Sequence, residues 1–284
     1  VRDLYTGVAM ARFFSTLMLI SGLAPVAAPL VGGQVLRFTV WRGVFLVLAA
    51  IGALITVVVA LRLKETLPAD RRHTGGLGEM LRTVRGLFRD IRFTGYVLTA
   101  SFAFGAFFSY IAGSPFVLQG VYGASPQAFS LLFGANAVGM VIAGQFNGRV
   151  LVGRVRLDRV LAIGLAGGLL STGTLMAVVC GVFGDLGLVP GAVALLGLMA
   201  SVGLTLPNTQ ALALGRAGHA AGSASALLGT ATFLMGAVTA PLVGIHGEHT
   251  AVPMAVVMTT SEAVAVIVFL ALCRPWRRDP ASSL

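Results

Sequence analysis

Eight apolar runs, at about 10–33, 44–61, 93–118, 127–147, 160–183, 188–212, 221–244 and 251–273, leave this chain few ways to fold. Crossing roughly 30 Å of hydrocarbon takes about 20 helical residues, and each run is about that long. A lipid-embedded segment must satisfy its own backbone hydrogen bonds, which a helix does within itself. The runs therefore predict an all-α, polytopic bundle of eight transmembrane helices. Composition agrees: 57% of residues are hydrophobic, 11% are charged and the mean hydropathy is +0.92. An ordinary soluble domain is excluded.

The net charge of +10 would suggest a nucleic-acid partner in a soluble chain. Its distribution removes that need. With the N-terminus inside, 18 of the 20 basic residues fall in cytoplasmic segments, and only Arg37 and Arg42 fall outside. This bias follows the positive-inside rule. It predicts a multi-pass protein of the cytoplasmic membrane, with a cytoplasmic C-terminus and lipid rather than nucleic acid around it. Cys180 and Cys273 fall at opposite ends of that topology, too far apart for a disulfide. His246, Glu248 and His249 share a short outer turn without a third fixed His, Cys or carboxylate partner, so no metal site is expected. Lys64 is the only lysine and follows no glycine-rich loop, which leaves no ATP-driven motor. No other enzyme signature is present, and no cofactor is implied. The chain opens on Val1 at the edge of a helix, and the expectation is that earlier spans are missing.

Taken in order, the first run holds Ser21–Gly33 (SGLAPVAAPLVGG), with Gly22, Pro25, Pro29, Gly32 and Gly33. Two internal prolines would break a soluble helix, whereas membrane helices tolerate Pro and Gly. Residues 63–92 read as a basic linker. Within it Leu77, Met80, Leu81, Val84, Leu87 and Phe88 recur at helical spacing opposite Arg82, Arg85 and Arg89. That is an amphipathic helix suited to an anionic membrane surface, or else to a partner. The third span is aromatic. Ser101, Phe104 and Phe108 form a stripe that is either packing or a wall for apolar cations, and Pro115 is expected to kink the outer end. Asn136 lies in mid-span, as an interhelical bond or a substrate contact. The sixth span is expected to end at the proline-broken Thr205–Gln210, which contributes Asn208 and Gln210 as cavity candidates. Glu262 lies in mid-span of the eighth, and an intramembrane carboxylate is costly. It is either a proton carrier or a structural acid. Finally, APLVG occurs at 28–32 and again at 240–244, six spans apart, which is the spacing of duplicated six-helix halves. The domains then read as 1–62, the last two helices of one half; 63–92, the linker; 93–273, a six-helix half; and 274–284, a tail.

Pro29, Gly32 and Gly33 resemble the antiporter motif of the major facilitator superfamily, roughly G-x-x-x-G-P-x-x-G-G on the fifth of twelve helices. Ala28 stands where glycine is usual. VRDLYTGVAMARFF, WRGVF and GSPFVLQGVYGASPQAFSLLFGANAVG are similar to the Bcr/CflA drug-efflux branch, and the likeness covers essentially the whole chain. The resemblance implies an exporter of drug-like compounds, coupled to protons and working by alternating access; the chain is separately expected to act as a monomer. It would number these spans five to twelve. The third and sixth would line the cavity, the first and seventh would meet at the interface between halves, and the eighth would be peripheral. Gly148–Arg154 lacks the Asp of the family's cytoplasmic loop motif. The alternatives carried forward are an importer of the same fold, a non-transporting scaffold, and a piece inactive on its own.

Overall fold

The computed structural model describes residues 31–62, 76–182, 184, 187–217, 220–245 and 250–274. Among these every regular element is helical, and seven helices are long and apolar enough to cross a membrane. They match the last seven expected runs. The first run, and with it Gly22, Pro25 and Pro29, lies outside the described residues except for 31–33. Gly32 and Gly33 fall in a helical stretch at 31–38.

The chain divides into two units, Val1–Thr74 and Gly75–Leu284. In the first, α1 (Trp41–Arg62) is Val-, Ala- and Leu-rich around its circumference, and Gly43 is its one buried residue. Trp41 sits at its start, with the Arg42 guanidinium 4.4 Å from the ring centroid. This pairing suits a helix end at the membrane–water boundary.

The second unit holds α2 (Leu77–Arg89), α3 (Ile91–Pro115), α4 (Pro126–Phe146), α5 (Leu157–Val179), α6 (Leu188–Arg216), α7 (Ala221–Val243) and α8 (Val252–Val268). α3, α4 and α8 run on through π-helical turns at Phe116–Val121, Asn147–Leu151 and Phe269–Cys273. The amphipathic segment is helical as its periodicity requires. α2 packs against α3 and α7, burying Leu87 while Leu81 and Phe88 stay exposed. α3 and α6 are the most buried of the described spans and form the centre of the unit.

One expectation about proline changes: the sixth span does not end at Thr205–Gln210. Pro115 closes the α-helical part of α3, yet the chain carries on helically through the π turn that follows it. Pro207 does not end its span either: α6 passes through it to Arg216. Pro207 has no N–H for the Gly203 carbonyl, a loss that membrane helices tolerate, and polar side chains bond the next two carbonyls along. The Asn208 amide donates to the Leu204 carbonyl at 2.7 Å, and the Thr209 hydroxyl donates to the Thr205 carbonyl at 2.5 Å.

Lipid supplies no hydrophobic force between apolar helices, so association rests on close packing. Small residues provide it at each crossing. A Cβ on Gly164 would stand 2.6 Å from the Thr205 hydroxyl, and one on Gly197 2.5 Å from that of Ser171, so α5 and α6 lie nearly backbone to backbone. On the other side of α6, a Cβ on Gly203 would strike the Met140 carbonyl oxygen of α4. That obstacle is backbone and cannot swing aside.

Gly203→Ala is therefore expected to lower the thermal stability of the detergent-purified protein by about 1–3 kcal/mol, the usual cost of overpacking. Gly134→Ala, where an added Cβ meets nothing within 4 Å, should be neutral or gain the roughly 1 kcal/mol of helix propensity that Ala holds over Gly. Equal melting temperatures for the two variants would contradict the α4–α6 packing.

Candidate functional site

The polar and aromatic residues singled out in the sequence fall into three groups in the second unit. The first is the seam between α3 and α7. Phe104 and Phe108, one helical turn apart, stack with centroids 5.8 Å apart and lie over Gly236 of α7, where a Cβ would come within 3.0 Å of the Phe108 ring. Phe233 of α7 meets Phe104 edge-on at 5.2 Å and is itself 67% exposed. Thr239 ties the same seam by donating to the Gly105 carbonyl at 3.3 Å. Ser101 does not open onto this aromatic surface. It is buried, and its hydroxyl donates to the Val97 carbonyl of its own helix at 2.8 Å.

The second group lies in mid-span. Asn136 is buried and donates to the Tyr110 hydroxyl at 2.9 Å, joining α4 to α3. Tyr110 in turn stacks on Phe133 of α4 at 5.5 Å. Of the two readings open for Asn136, the structure contains the interhelical bond. Glu262 of α8 is 2% exposed. Its carboxylate lies on Gly168 of α5, where an added Cβ would be 2.9 Å from the carboxyl carbon. One carboxylate oxygen has no hydrogen-bond partner among the described residues, and no described cation pairs with it. Nearby, the Thr259 hydroxyl donates to the Thr172 carbonyl at 3.0 Å, which fixes α8 against α5 around the acid.

The third group gathers at the end of the bundle formed by the starts of α3, α5 and α7 and the ends of α4, α6 and α8, called the basic end below. Asp90 caps α3 by accepting from the Arg92 and Phe93 backbone N–H groups, and pairs with Arg216 at the end of α6 at 2.6 Å. Tyr96 donates to buried Asp158 at 2.8 Å, and Arg156 stands 3.6 Å from the same carboxylate. The Asn208 amide donates to Asn147 at 3.0 Å, linking α6 to α4. Gln210, by contrast, is exposed.

Asp90, Tyr96, Asp158 and Arg216 are absent from the candidates read off the sequence. Only Asp90 carried a local signal, a capping residue just ahead of an apolar run. The other three are recognisable only once distant helix ends meet. Phe104 and Phe108 come together with Phe233; Asn136, Asn208 and Glu262 occupy three separate places.

A bundle of membrane-spanning helices, glycine-packed and with most of its hydroxyls bonded to carbonyls of their own helices, defines a multi-pass helical membrane protein. The chain belongs to the Major Facilitator Superfamily, whose family profile matches residues 1–240. It is 39% identical to an uncharacterized MFS-type transporter, YdgK, of Bacillus subtilis over 276 residues, covering 96% of this chain and 67% of the relative. It is 30% identical to a bicyclomycin resistance protein homolog of Haemophilus influenzae over 269 residues, covering 95% and 67%. A chloramphenicol resistance protein of Pseudomonas aeruginosa is 29% identical over 152 residues, covering 53% and 35%. The family and these relatives mark the chain as a transporter-type protein and not an enzyme.

The Asn136–Tyr110 bond has a direct check. Asn136→Ala and Tyr110→Phe should each destabilise the purified protein, and their double-mutant cycle should show a coupling of about 0.6 kcal/mol, the average for hydrogen bonds between membrane helices, with about 1.7 kcal/mol as the upper end. Strictly additive losses would mean that the two side chains do not depend on each other.

Proposed function

We propose that the protein is a drug exporter of the Bcr/CflA type, moving amphipathic, drug-like compounds out of the cell across the cytoplasmic membrane in exchange for protons. The observation that carries this reading is the α3–α7 aromatic seam, where Phe104, Phe108 and partly exposed Phe233 offer ring faces over a glycine floor. Such a surface suits flat, apolar cations, held by stacking and cation–π attraction with few fixed hydrogen bonds. That chemistry tolerates varied ligands. Similarity to relatives named for bicyclomycin and chloramphenicol resistance supports the same direction.

For the proton we assign Glu262. It is the one acid in the middle of a described span, and a carboxylate buried without a cation is costly in its charged form. Its charge is therefore tied to access by water, which alternating access would switch. The Pro/Gly segment Gly22, Pro25, Pro29, Gly32 and Gly33 supports antiport through its likeness to the family motif. Substrate and proton need not share a site, since coupling requires only that both bias the same conformational equilibrium.

The test uses cells producing the gene product that carries this chain, loaded with ethidium. Production should lower steady-state ethidium accumulation, and a protonophore should abolish the difference. Phe104→Ala with Phe108→Ala should return accumulation toward the control at unchanged protein level, since two ring contacts of about 0.5–1.5 kcal/mol each are lost. Undiminished efflux by the double variant would remove the aromatic seam from the substrate path.

A further inference from the structure

A second feature of the bundle lies away from the aromatic seam. Along the outer side of α5 and α8 runs an open groove of about 730 Å³. Its floor is made by buried Leu165 and Phe269, its walls by exposed Leu170 and Leu270. Between the leucines, α5 contributes the small residues Ala162, Ala166, Gly173 and Ala177, and an added Cβ on Gly173 meets nothing within 4 Å. From Ala162 to Ala177 the groove spans fifteen helical residues, about 22 Å at 1.5 Å per residue. That exceeds the roughly 15 Å depth of one leaflet in a core about 30 Å thick.

What occupies the groove is indicated by its mouth. One turn before Ala162 stands Arg159, and one turn after Leu270 stands Arg274; both are exposed, and neither pairs with an acid among the described residues. They belong to the same end of the bundle. Tyr96 of α3 holds Asp158, the residue before Arg159, while a Cβ on the adjacent Gly95 would lie 2.8 Å from the sulfur of Cys273, the residue before Arg274. Arg274 adopts a left-handed conformation with φ 48°, which ends the helix. The nearby Arg156 is already engaged by Asp158, at 3.6 Å. Two exposed guanidinium groups without an acidic partner among the described residues thus stand beyond the same end of an apolar channel, that of Arg274 also donating from Nε to the Ala271 carbonyl at 3.3 Å.

We propose that this groove is a binding site for an anionic phospholipid, with one acyl chain lying between α5 and α8 and the phosphate held by Arg159 and Arg274. Guanidinium pairs with phosphate oxygens in forked geometry, and basic residues at a membrane surface draw anionic lipid. A zwitterionic lipid would fill the apolar channel equally well but would gain less from the paired arginines. The site is separate from the proposed drug path. It lies on the α5–α8 side of the bundle, whereas the aromatic seam lies between α3 and α7.

Native mass spectrometry of the detergent-purified protein, titrated with dioleoylphosphatidylglycerol or dioleoylphosphatidylcholine, tests this. The expected result is tighter retention of the phosphatidylglycerol by about 30-fold, the effect of two arginines at a membrane surface. Arg159→Gln with Arg274→Gln should bring it down to the level of the phosphatidylcholine. Gly173→Leu, which fills the channel and leaves both arginines in place, should weaken both lipids. Equal retention of the two lipids by the parent protein would overturn the proposal. So would a phosphatidylglycerol preference that survives the double arginine variant, or retention unaffected by Gly173→Leu. A Thr174→Cys variant that forms a disulfide-linked dimer in the membrane and excludes lipid would show a second copy of the chain in the groove, and would equally overturn it.

Discussion

Hydrocarbon offers a polypeptide no hydrogen bonds, and that condition governs this molecule at every scale. Each backbone polar group must be satisfied within its own helix or by a neighbour, so the described elements are helices even where proline would end one in water. Helices surrounded by equally apolar lipid then gain nothing from greasiness alone; they gain from approach. Gly164, Gly197 and Gly203 permit that approach on the two sides of α6, so the central helix is gripped from both sides. The same closeness brings carbonyl oxygens within reach of the hydroxyls of Thr239 and Thr259 on adjacent helices.

Polar side chains are distributed by the same rule. At the basic end, water and like-placed helix termini let charges pair: Asp90 with Arg216, and Asp158 with Tyr96 and Arg156. These contacts tie the ends of α3, α5 and α6 together, in a region where the freed amides of a helix N-terminus also welcome a carboxylate. In mid-span the pairs are neutral, as with Asn136 and Tyr110. Glu262 breaks the pattern. It is an acid at the depth where partners are scarce, seated on a glycine that makes room for it. A group that departs from an otherwise consistent scheme is where function is to be sought.

The placement of the seven described spans was readable because the signal is long and summed over about 20 residues. The helical segment 77–89 was readable from its periodicity. Helix ends were less so: Pro207 looked like a terminus, because a single sequence shows a proline's penalty but not the packed neighbours that let a membrane helix run through it to Arg216. Among site residues, spacing correctly brought Phe104 and Phe108 to one face, but the same spacing enrolled Ser101, which turns inward to its own backbone. Asn136 could not be decided from sequence, since its partner Tyr110 is 26 residues away on another helix. Contacts such as Tyr96 with Asp158, 62 residues apart, and Arg216 with Asp90, 126 apart, are properties of the packed bundle and have no local signature.

Proton exchange through Glu262 stands at the centre of the functional reading, and it is best measured with the purified protein in liposomes. A pH-sensitive dye trapped inside would report proton movement when ethidium is added outside. Antiport requires that ethidium evoke a proton flux in the opposite direction, and that Glu262→Gln abolish this flux while ethidium still binds. Undiminished ethidium-evoked proton flux in Glu262→Gln would contradict the role given to that residue. Ethidium transport without any proton movement would contradict antiport itself.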